Sequence, residues 1–147
     1  MKKYLMLILI ALIAILTLSA CTRRGRVGNV EITIGDSEIF SVEEINDAIE
    51  LVLERFATRS FASCELLELW YDEELSERES KRRINHSIGR FYGMSGENII
   101  VLFSSFETDR RGGEQGFNPN TIYTDWIWIL IRDGQDQPWR IEGWGSI

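Results

Sequence analysis

Residues 121–132 read Thr121-Ile122-Tyr123-Thr124-Asp125-Trp126-Ile127-Trp128-Ile129-Leu130-Ile131-Arg132, an aromatic and β-branched run with the composition of a strand. Successive strand side chains point to opposite faces, so Trp126, Trp128 and Leu130 share one side while Asp125, Ile127, Ile129 and Ile131 share the other. Both sides are apolar, and such a strand has to be covered twice. The fold class expected from this is α+β. Asn98 to Phe106 has the same two-sided character. Asp133-Gly134-Gln135-Asp136-Gln137-Pro138 supplies a turn, and Trp139-Arg140-Ile141-Glu142 begins a returning strand, so the three strands form an antiparallel meander.

Upstream of the meander lies the material to cover it. Ser41-Val42-Glu43-Glu44 is a capping box, in which Ser41 caps the helix and Glu44 reaches back. Behind it Val42, Ile45, Ala48, Ile49, Val52, Leu53 and Phe56 recur at helical spacing and make one apolar stripe. A second, mostly solvent-facing helix opens at Ser76, with Glu79 in capping-box position, and runs to about Phe91 with Ile84, Ile88 and Phe91 as its apolar seam. Val30 to Ile34 alternates like a short edge strand, and Cys64 to Tyr71 leans towards a strand. Asp72-Glu73-Glu74 reads as its solvated end.

The amino terminus belongs to a different layer of information. Lys2 and Lys3 precede an apolar stretch from Tyr4 to Leu18, and Ser19-Ala20 then lead into Cys21. A basic start, a short apolar run and small residues at a cut form a secretory signal peptide. The run is shorter than the roughly 20 residues a bilayer span needs. Residues 1–20 are therefore expected to be a signal peptide helix, residues 21–29 a polar tether, and residues 30–147 a single domain. Arg23, Arg24 and Arg26 in the tether could attract anionic headgroups or be leftover flanking charge, and the sequence favours neither.

Removing residues 1–20 leaves 14 basic against 23 acidic residues and a net charge of about −9. Nucleic acid is excluded as a partner, because phosphate contacts need clustered Lys and Arg. Cys64 is the one thiol left if Cys21 carries lipid. With Glu65 as its nearest charge, it reads as a small buried hydrophobe rather than a nucleophile.

The candidate ligand-binding residues are Trp126 and Trp128, with Trp139 or Trp144 beside them on the next strand. Together they could form a platform for a small apolar or sugar-like ligand. The same rings also read as core. Glu107 to Asn120 is a long glycine-rich connection without a P-loop ending, and it reads as a mobile hairpin loop. Its Asp109, Glu114, Asn118 and Asn120 depart from the spacing of a calcium loop. His86, the only histidine, has no second histidine and no neighbouring cysteine in the sequence with which to hold zinc, and reads as solvated. No nucleophile–base–orienter set is legible, so no catalytic residue, metal or cofactor is expected.

Leu18-Ser19-Ala20-Cys21 resembles the lipobox of bacterial lipoproteins, which implies diacylation and cleavage at Cys21. Further on, Trp70-Tyr71-Asp72-Glu73, Ile100 to Ser104 with Phe106, Gly112-Gly113, Asn118-Pro119-Asn120, Tyr123-Thr124, Trp126 to Leu130 and Arg132-Asp133 resemble an uncharacterised family of short lipoproteins from Gram-positive bacteria, over roughly residues 38–145. The resemblance implies an NTF2-like, cystatin-like domain: a long N-terminal helix packed on a curved antiparallel sheet. It implies no activity. The expected function is a lipid-anchored, extracytoplasmic binding or interaction module at the cell membrane. Its partners would be the membrane through a diacylglyceryl anchor, and a second copy, an envelope protein or a small apolar or sugar ligand. The alternative is an enzymatic pocket using His86, Asp125 or another carboxylate.

Overall fold

The computed structural model describes residues 23–86, 91 and 93–147, with the His86 side chain excepted. The signal peptide and Cys21 lie outside the described residues. Five strands form one sheet in sequence order: β1 (Glu31–Ile34), β2 (Cys64–Tyr71), β3 (Ile99–Thr108), β4 (Ile122–Ile131) and β5 (Arg140–Ser146). Helix α1 (Val42–Phe56) follows β1, and α2 (Glu73–His86) follows β2.

β1 climbs from Glu31 beside Glu68 to Ile34 beside Tyr71, so it pairs with β2 in parallel. The other neighbours are antiparallel. The parallel pair exists because α1 carries the chain back to the end of the sheet from which β1 started. Two findings overturn the expected long helix on an antiparallel, NTF2-like sheet: the sheet is mixed and open, and α1 has 15 residues and comes second in the chain. Each face of the sheet has its own helix.

On one face, Ile45, Ala48, Ile49, Val52 and Phe56 of α1 pack against Leu66, Leu69, Leu102, Phe106, Trp128 and Leu130. Burying each of the larger aliphatic and aromatic side chains stabilises the fold by about 1.5–3 kcal/mol. On the other face, Ile99, Val101, Phe103, Ile127, Ile129 and Ile131 form a second core with Leu75 and Ile84 of α2. The alternation along β4 thus divides its residues between two cores.

Helix starts follow local chemistry. Ser41 accepts the Glu44 N–H at 3.2 Å and Glu44 accepts the Ser41 N–H at 2.8 Å, which is the capping box read from the sequence. α2 opens three residues earlier than Ser76. Asp72 accepts the Leu75 N–H at 2.9 Å, so the acidic stretch read as a solvated strand end is a helix start. Ser76 is buried within α2, and its hydroxyl accepts the Val101 N–H of β3 at 3.0 Å.

Part of the segment read as a tether is docked. The Gly25 N–H donates to the Thr58 carbonyl at 3.1 Å. Arg26 donates its N–H to the Cys64 carbonyl at 3.0 Å and accepts the Leu66 N–H at 2.9 Å, extending the parallel edge of β2. A Cβ at Gly25 would overlap the Phe56 carbonyl oxygen, so only glycine lets the two backbones approach this closely.

Candidate functional site

The three tryptophans proposed as a platform are core residues. Trp128 is fully buried between Phe61 and Trp144, and its indole N–H donates to the Ser104 hydroxyl at 2.9 Å. Trp126 and Trp139 are 9% and 7% exposed. Trp126 packs edge-on against Phe106 and Phe117, whereas Trp139 donates its indole N–H to the Glu44 carbonyl at 3.0 Å. The structure therefore splits the trio: Trp139 joins Phe40 at the start of α1, and the other two join an aromatic cluster at its end.

That cluster includes a residue the sequence reading passed over. Phe117, from the glycine-rich connection, folds back against Phe61, Phe106, Tyr123 and Trp126. A Cβ at Gly112 would overlap the Phe117 carbonyl and one at Gly113 would overlap its ring, so the glycines are the seat for Phe117. Thr108 donates its hydroxyl to the Asn118 carbonyl at 2.6 Å, and the Asn118 N–H donates to the Tyr123 hydroxyl at 2.9 Å. The loop is built rather than loose. Of the carboxylates in it, Asp109 pairs with Arg111 at 2.7 Å and Glu114 with Arg59 at 3.2 Å. Among the described residues no group of three or more His, Cys, Asp or Glu could hold a metal ion.

Cys64 is fully buried. Burial first, and Asp109 second, push its thiol up to about 11, leaving it protonated at neutral pH. Asp125 is exposed near the end of the sheet from which β2 starts, where it accepts the Thr124 hydroxyl at 3.3 Å.

The better-formed recess lies at the opposite end, where β2 finishes and α1 begins. It is a groove of about 390 Å³ between the 38–40 segment, one face of α2 and the 95–99 segment. Its apolar floor includes Phe40, Ile84 and Ile99; Glu38 and Glu97 stand on its margin, as does Glu77, which pairs with Lys81 of the same lining at 2.8 Å. Glu73 braces the 38–40 wall from behind. Its Oε2 accepts the Ser37 hydroxyl at 2.5 Å, the Glu38 N–H at 2.9 Å and the Ile39 N–H at 3.1 Å, pulling that segment onto the start of α2. These bonds, led by the Ser37 hydroxyl, hold the Glu73 carboxyl below its ordinary value. Tyr71 borders the same groove, and burial pushes its phenol up to about 12. Ser80 also lines it, buried and with no hydrogen-bond partner for its hydroxyl among the described residues.

A recess of about 360 Å³ on the β1–β2 edge is shallower and is bordered by Trp70, Glu31, Glu68 and Asp72. Neither recess was foreseeable from spacing alone, because each joins residues from segments far apart in sequence.

Comparison with protein families, with curated proteins and with solved structures returns no match. Among the described residues, no helix is long and apolar enough to cross a membrane.

Proposed function

We propose that the chain is a lipid-anchored, non-catalytic binding module on the extracytoplasmic face of the cell membrane. It is held through Cys21 and presents the groove at the α1 start to an envelope partner that offers cationic groups. The observation that carries this reading is the placement of the two ends. The first docked residue after Cys21, Gly25, sits at the Thr58 end of the fold, whereas the groove bounded by Glu38, Glu97 and the Glu77–Lys81 pair lies at the other. An anchor at Cys21 would hold the first end near the bilayer and turn the acidic groove away from it. Two acyl chains make such an anchor effectively stable, where one gives only marginal binding.

The test has two arms. Cys21→Ala should leave an uncleaved precursor, read by the mass of its amino-terminal peptide; normal processing of that variant would overturn the anchor. A photo-crosslinking side chain at Ile39, beside the groove, should give an adduct in intact envelopes that is lost in Glu38→Lys/Glu97→Lys. The same probe at Glu50, exposed on α1, should give none. Equal adducts at both positions would overturn the groove as the binding surface.

A further inference from the structure

The end of the domain that carries the docked amino-terminal segment also carries basic surface, in a chain whose mature charge is strongly negative. A depression of about 580 Å³ brings Arg26, Arg110 and Ile122 together with Glu107 and Asp109. Ile122 is 60% exposed, the most open of the large apolar side chains among the described residues. Arg26 pairs with Glu65 at 2.7 Å and Arg111 with Asp109 at 2.7 Å, which neutralises both carboxylates. Arg110 in the depression, and Arg23 and Arg24 next to docked Gly25, have no carboxylate partner among the described residues; the carboxylates without a cation partner near this end are Glu107, Asp125 and Glu54. The opposite end carries Asp36, Glu38, Asp72, Glu73, Glu74 and Glu97. The unpaired arginines gather where the chain enters, and carboxylates predominate at the groove end.

From this polarity and the docking of Gly25, we propose that the Arg110–Ile122 end lies directly on an anionic lipid surface, with Ile122 at the headgroup boundary and Arg23, Arg24 and Arg110 on the lipid phosphates. The inference rests on the anchored reading above. Four Cα–Cα steps separate Cys21 from Gly25, a reach of at most about 15 Å. A domain so tethered cannot turn its far end to the membrane, and the end it must present has the charge that anionic headgroups attract. A free anion would satisfy the arginines but gives no role to Ile122. A lipid surface accounts for both.

The test uses the full, lipidated chain reconstituted into vesicles of phosphatidylcholine with or without phosphatidylglycerol. A fluorophore is placed at Ile122→Cys or, as control, at Asp36→Cys, and quenching by headgroup spin labels is read. Quenching is expected at position 122 on anionic vesicles and not at position 36. Arg110→Gln should lower the docked-to-undocked ratio about fivefold, as should raising the salt. A lipidated chain that floats with the vesicles but shows equal quenching at both positions, or no dependence on lipid charge, overturns this orientation and leaves the anchor standing. A chain with unmodified Cys21 that does not float overturns the anchor and the orientation together.

Discussion

Glu44 and Arg132 meet across 88 positions of sequence, with an Arg132 Nη1 to Glu44 Oε1 distance of 2.6 Å. Arg132 is almost wholly buried, and every part of its guanidinium is used. It donates to the Glu97 and Gln135 carbonyls and lies over the Trp139 ring at 4.3 Å. The other oxygen of Glu44 closes the capping box of α1. One carboxylate thus starts the helix and fixes that start to the end of β4.

Removing either partner leaves the other charge stranded. Arg132→Met should destabilise the domain less than Glu44→Ala, because methionine refills the space whereas the alanine leaves a buried guanidinium unpaired, at a cost of about 3 kcal/mol. Urea denaturation of the two variants checks the order. Equal losses would show that the pair contributes packing rather than charge.

Acid should unfold the protein through the same carboxylates. Desolvation raises the Glu44 pKa, but the Ser41 N–H and Arg132 outweigh it and hold the group below its ordinary value; Glu73 is lowered by Ser37 and two backbone N–H groups. A folded-state pKa below the unfolded one gives stability that is present at neutral pH and lost as pH falls through the folded value. Stability should therefore decline below about pH 4.5, the ordinary value of both groups. The double variant Glu44→Gln/Glu73→Gln should flatten that decline, read as the urea midpoint against pH.

Ser104→Ala should cost about 1–3 kcal/mol, because it strands the buried Trp128 indole N–H. Trp128→Ala should cost about 3–5 kcal/mol, as expected for a large aromatic in a core. Thermal melts followed by tryptophan fluorescence separate the two.

Gly25→Ala should release the amino-terminal segment without unfolding the sheet. The added Cβ would press on the Phe56 carbonyl, so the Arg26 and Leu66 amides lose their partners. Hydrogen exchange at those two amides should rise while the β3 and β4 amides stay protected. Unchanged exchange at Arg26 would show that the segment tolerates the side chain.

How much of this was legible depended on whether the signal was local. The α1 stripe, its capping box and the alternation of β4 are periodic signals, and each is present in the structure where the sequence puts it, except that Val42 at the head of the stripe is exposed. Ser76 misled because its spacing to Glu79 imitates a capping box, while the true start uses Asp72, whose neighbours looked like a solvated chain end. Gly25 and Gly112 looked like linker and loop residues. Their reason for being glycine is close approach to Phe56 and Phe117, a fact of tertiary contact that composition does not carry. A lone phenylalanine among glycines was the available signal for Phe117. The groove drew on residues 38–40, 71–84 and 95–99, which no single stretch displays together.

The docked amino-terminal segment also determines how the domain meets a pulling force. Arg26 runs parallel to the start of β2, so tension transmitted from residue 21 acts along the strand axis. The two hydrogen bonds that Arg26 makes with Cys64 and Leu66 are then loaded in shear and share the strain, instead of parting one after the other. The four-residue parallel ladder of β1 stands behind them as a second catch in the same line. Traction on the amino-terminal segment would extend the chain by a few residues before it reached either core.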